Sequence, residues 1–101
     1  MMVDTYNLEG HLDSLTAPPI ARELLEHRGA ALHVDSRGVA HAGTLLVQIL
    51  VAAKRQWQED CHDFRVAPVS PILATAVAEL GVDPSAIGAL PEDILPTEGI
   101  A

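Results

Sequence analysis

Two hydrophobic rhythms alternate along this chain. Over residues 5–9 the period is two, with Tyr6 and Leu8 on one side and Asn7 and Glu9 on the other, the pattern of a half-buried strand. Gly10 is placed to end it. Thr16 then offers an N-cap ahead of Pro18 and Pro19, whose missing N–H groups cost little in a first helical turn. Ile20, Ala21, Leu24 and Leu25 follow at helical spacing, and Gly29 is positioned to stop that helix. The strand rhythm returns over residues 31–35, with Leu32 and Val34 on one face and His33 on the other. Residues 36–43 read as a small-residue loop. A long amphipathic helix is predicted over residues 44–60, its apolar side formed by Leu46, Ile49, Leu50, Ala53 and Trp57. A third strand follows over 62–67, with Phe64 and Val66 inward. Ser70-Pro71 marks the start of a third helix, striped by Ile72, Leu73, Ala76, Val77 and Leu80 and ended by Gly81. Asp83-Pro84 can open one more short turn.

Strand–helix alternation of this kind predicts an α/β fold with a mostly parallel sheet. A sheet buried on both faces would carry continuous apolar strands. These strands alternate, so the helices are expected mainly on one face, through right-handed crossovers that all run the same way. One domain is expected over residues 1–90, followed by an acidic, flexible tail over 91–101 that carries two prolines. The chain of 101 residues can bury one core, and not two. With a single Tyr, Trp and Phe, that core must be aliphatic.

The formal charge of −8 comes from fourteen Asp/Glu against six Lys/Arg. It argues against nucleic acid and anionic membrane surfaces, which need clustered cations. It would favour a basic protein partner, although ordinary acidity explains it equally well. One cysteine, Cys61, leaves no intrachain disulfide and fits a reducing compartment. The longest apolar run, residues 45–53, is interrupted by Gln48 and is too short to span a bilayer. No leader pattern opens the chain, and a cytoplasmic location is expected.

Enzyme signals are poor. Histidines 11, 27, 33, 41 and 62 show no tight metal spacing, and no nucleophile elbow, Walker loop or dinucleotide glycine motif occurs. Cys61-His62 are neighbours on a strand approach, where successive side chains diverge. Glu59-Asp60 reads as a solvated helix end, because adjacent helical positions do not face one another. No catalysis, cofactor or metal is expected. The residue that stands out is Thr44. It reads either as a plain helix N-cap or as a hydroxyl at a helix N-terminus, where backbone N–H groups and the macrodipole favour negative charge. Phosphate added there would be stabilised locally while repelling an acidic or apolar partner.

Four segments then carry a family resemblance. Gly10-His11-Leu12-Asp13 is similar to a Gly-Glu-Leu-Asp turn into a first helix, and Val34–Val39 to a strand and loop of the form hydrophobic-Asp-x-x-x-Val. Gly43-Thr44-Leu45-Leu46 falls where the family has Asp-Ser/Thr-x-Gly, and Val69-Ser70-Pro71 resembles its Ser-Pro helix start. In order and spacing the chain resembles the STAS domain of bacterial anti-sigma-factor antagonists. The Arg28-Gly29 helix end, the Gly43 loop and the Gln48-to-Trp57 helix are similar to a short STAS subgroup encoded in chemotaxis clusters. The resemblance implies an open sheet of about four strands with three to four helices. It implies a non-catalytic module that binds an anti-sigma kinase or a chemotaxis histidine kinase, with Thr44 as phosphoacceptor. An alternative relative is the small STAS subunit that stabilises lipid-transport ABC ATPases. Gly43 stands where the family has Asp, and Leu46 where it has Gly.

Partner-contact candidates are Asp13, Asp35, Ser36, His41, Gly43, Gln48 and Arg55. Each has a bland counterpart: Asp13 and Ser36 as turn residues, Asp35 as a loop cap, His41 as a solvated loop side chain, and Gln48 and Arg55 as part of a solvated face. Few residues precede Gly10, so residues 5–8 would form an open sheet edge that a second copy could extend into a homodimer.

Overall fold

The computed structural model describes residues 3–96. Its elements run β1 (Val3–Leu12), α1 (Ala17–Leu25), β2 (Ala31–Ala42), α2 (Thr44–Glu59), β3 (Phe64–Val66) and α3 (Pro71–Glu79), followed by 3-10 turns at Pro84–Ile87 and Pro91–Asp93. Among the described residues the sheet has three strands in the order β1-β2-β3, all parallel, and not the expected four. Among the described residues, β1 pairs on one side only. Of the expected tail, Ile94 bridges to Val69, and residues 97–101 lie outside the described residues.

The register explains the alternation. Tyr6, Val34 and Val66 share one rung, and Thr5, His33 and Arg65 the next. Leu8, Leu32, Val34, Phe64 and Val66 are buried beneath the helices, whereas Thr5, Asn7 and Glu9 are exposed and His33 and Arg65 half-buried. One face of the sheet is therefore covered and the other open.

The boundaries of all three strands move, and β3 covers only Phe64–Val66 of the expected 62–67. Gly10 does not end β1; it takes φ +98 within the strand, a conformation glycine adopts freely. The expected loop after Asp35 is strand. β2 continues to Ala42 alongside β1, taking up its extra residues at two register shifts, between Asn7 and Glu9 and between Gly10 and His11. Gly38 permits this, because a Cβ there would sit 2.7 Å from the Glu9 Cβ.

Side chains lock the helices onto the sheet. The Tyr6 hydroxyl donates to Glu23 of α1 at 2.5 Å, and burial, followed by that carboxylate, pushes its pKa upward. Arg28 donates two bonds of 3.0 Å to Asp60, tying the end of α1 to the end of α2. The Trp57 indole is fully buried and donates to the Ala30 carbonyl at 2.9 Å. Beyond it, Cys61 closes α2 at φ +62, while the His62 N–H returns to the Trp57 carbonyl at 3.0 Å, as in a Schellman stop.

Candidate functional site

α2 begins without a side-chain cap. Its N-cap is Gly43, at φ −88 and ψ 174, and no acidic residue lies in its first turn. Thr44 is the first helical residue and is exposed. The Gly43 N–H donates to the Leu12 carbonyl at 2.8 Å, which draws the helix start against the end of β1. A Cβ on Gly43 would meet the Leu12 oxygen at 3.4 Å and the Asp13 Cα at 3.6 Å.

Beside this start, His11 and His41 are register partners on β1 and β2, and their rings stack at 4.4 Å with 15° between planes. His11 Nε2 lies 3.5 Å from the Asp13 carboxylate. That carboxylate accepts from the N–H groups of Leu15 and Thr16 at 2.9 and 3.0 Å, and these bonds hold its pKa below the usual range. Asp13 thus organises the turn into α1. His11, Asp13, His41, Gly43 and Thr44 form one continuous corner.

Gln48 and Arg55 extend the corner along α2, since positions 44, 48, 52 and 55 fall on one helical stripe and all four residues are exposed. Thr44 and Arg55 stand at opposite ends of a groove of about 410 Å³ between α2 and the end of α3, walled by Val47, Val51, Leu80 and Val82.

Two candidates lie elsewhere. Asp35 sits on the open sheet face in register with Asn7. Its carboxylate accepts from the Arg37 guanidinium at 2.9 Å, and that contact leads in lowering its pKa. Ser36 is corrected from an exposed turn hydroxyl to a fully buried one. Its Oγ donates to the Pro68 carbonyl at 2.8 Å and accepts from the Ser70 N–H at 3.1 Å, so it fastens β2 to the start of α3.

The histidine stack and the Leu80–Val82 wall were missed in the sequence. Both arise between elements distant along the chain, and neither leaves a local periodic signal. Among the described residues no group of three or more His, Cys, Asp or Glu is placed to hold a metal ion, and no helix is long and apolar enough to cross a membrane.

A short parallel sheet helix-covered on one face, with an exposed hydroxyl opening its second helix, defines a small α/β domain of STAS type. The family model described as "Mlab, STAS domain" matches residues 3–92, and the chain belongs to the STAS domain family. Membership suggests a regulatory module, anti-sigma-antagonist-like, of a kind that commonly mediates protein–protein contacts. A search of curated proteins gave no match to the chain.

Proposed function

We propose that this STAS domain is a cytoplasmic, non-catalytic regulator that captures a signalling protein, an anti-sigma kinase or a chemotaxis histidine kinase, through the corner at Thr44 and the α2 stripe. Phosphorylation of Thr44 gates that capture. The observation that carries the reading is the exposed Thr44 hydroxyl at an uncapped helix start. A phosphate there gains from the macrodipole and from the first-turn N–H groups, and adds about −1.5 to −2 charges to the contact surface. Asp13, His41 and Gly43 shape the approach to Thr44, and Gln48 and Arg55 extend the contact.

The test combines affinity capture with intact-mass measurement. The reading expects one added phosphate, abolished by Thr44→Ala, and a loss of partner capture in Thr44→Glu with an unchanged circular dichroism spectrum. Equal capture by wild type, Thr44→Asp and Thr44→Glu would remove the gating. Recovery of an ATP-binding cassette protein, insensitive to phosphatase, would turn the reading to the accessory subunit of a lipid-transport ATPase, with the same face packed constitutively. Self-association through the one-sided β1 edge would appear as a dimer in analytical ultracentrifugation.

A further inference from the structure

A second shallow groove, of about 200 Å³, lies on the other side of α2 against α1, with Leu24, Leu25, Ile49 and Trp57 in its wall. The two grooves share Ala52. Between them runs the ridge of Thr44, Gln48, Ala52 and Arg55, low at its centre because Ala52 carries only a methyl group. Leu25 and Leu80, on opposite flanks, leave 50% and 42% of their surface in solvent.

The charge on this surface is as informative as its shape. The chain carries fourteen Asp and Glu residues, yet among the described residues none lines either groove, and the charged side chain that does is Arg55. An apolar surface with one cation, in a protein otherwise so acidic, is complementary to an apolar segment bearing one anion.

We propose that the α2 ridge and its flanking grooves receive an amphipathic helix from another protein, with apolar side chains for the grooves and a carboxylate that pairs with Arg55. The proposal rests on the reading of α2 as the partner face and adds the chemistry of the segment that binds there. Helices dock in grooves of this kind through side chains at helical spacing. A second copy of this chain fits less well. A twofold dimer would set the same grooves against themselves, and because neither groove is lined by a carboxylate, each covered Arg55 would depend on Glu59, one turn further along α2 and outside both linings, as its counter-ion. The carboxylate lies toward the C-terminal half of α2. Thr44 is eleven residues from Arg55, about 16 Å along the helix, so a phosphate on Thr44 would stand over the apolar end of the groove, out of reach of that cation.

The experiment titrates the full-length ¹⁵N-labelled chain with two synthetic helical peptides of about 18 residues, each with a Leu/Ala face. They are identical except that a single Glu in one is Lys in the other. The Glu peptide is expected to give saturable shifts at Gln48, Val51, Ala52, Arg55 and Leu80, and to bind about tenfold more tightly than the Lys peptide. Arg55→Glu, checked for folding by amide dispersion, is expected to invert that order. The proposal is overturned if neither peptide saturates, if the shifts map to β1 or the open sheet face, or if Arg55→Glu leaves the preference unchanged. Phosphate incorporation at Thr44 without peptide binding would sink the groove and leave the gating standing. Peptide binding that ignores Thr44→Glu would sink the gating and leave the groove.

Discussion

α2 and α3 both open beside a hydroxyl residue that follows extended backbone, and the protein uses the two hydroxyls in opposite ways. Ser70 is the N-cap of α3; it is buried, and its Oγ accepts from the Leu73 N–H at 3.1 Å. Its own N–H donates to the buried Ser36 Oγ. Thr44 stands one position later relative to its helix, behind a glycine N-cap, exposed and with no cap bond. The difference is one residue of register. At the N-cap a hydroxyl turns back onto the first-turn N–H groups; one place further in, it does not. α3 commits its hydroxyl to the fold, while α2 leaves one exposed and without a cap bond.

The largest effect expected from breaking this comparison lies at α3. Ser70→Ala removes the cap, and Ser36→Ala leaves the Ser70 N–H without its partner in a buried site, while the Pro68 carbonyl keeps the Ser36 N–H at 3.1 Å. Each should lower unfolding free energy by about 1–3 kcal/mol. The bond between the two serines is donated by the Ser70 backbone N–H, which alanine keeps, so the two substitutions remove different bonds and their losses should be close to additive. Urea unfolding of all four proteins measures both points. A double loss well short of the sum would mean that the two hydroxyls are coupled through the start of α3.

The α3 start was legible in the sequence because Ser-Pro is a local signal. The bounds of α2 were legible too, since its apolar stripe from Leu46 to Trp57 is long and strongly periodic. The second half of β2 was not. Ser36 to Ala42 has no alternation to read, and it becomes strand only because β1 lies alongside and Gly38 allows Glu9 to approach. Ser36 failed as a surface candidate for the same reason: its burial is imposed by Pro68 and Ser70, more than thirty positions away. Of the candidate residues, those on α2 and at the adjoining corner meet on one surface because helical spacing sets most of their geometry. Asp35 was separated from them once its loop became strand.

A smaller effect is expected at the far end of α2. Cys61 holds φ +62 at the position after the cap, where glycine carries no Cβ penalty. Cys61→Gly should raise stability by about 0.5–1 kcal/mol, net of the extra freedom glycine has when unfolded. A lower urea midpoint would show that the Schellman stop is not limited by that side chain. Smaller still is Gly43→Ser, which supplies α2 with the kind of cap α3 already has. Gly43 has an ordinary φ, and a Cβ would make only close van der Waals contact. The gain should be a few tenths of a kcal/mol, about the difference between Ser and Gly as caps.

The smallest expected change is the one that decides the comparison. Thr44 makes no cap bond and is exposed, so Thr44→Ala should move unfolding free energy by less than about 0.5 kcal/mol. Alanine's higher helix propensity should nudge it upward. A loss matching that of Ser70→Ala would show that the Thr44 hydroxyl also holds its helix together, and the contrast between a committed and a free hydroxyl would fail. A near-neutral result together with lost phosphate incorporation would assign the Thr44 hydroxyl to recognition and not to folding.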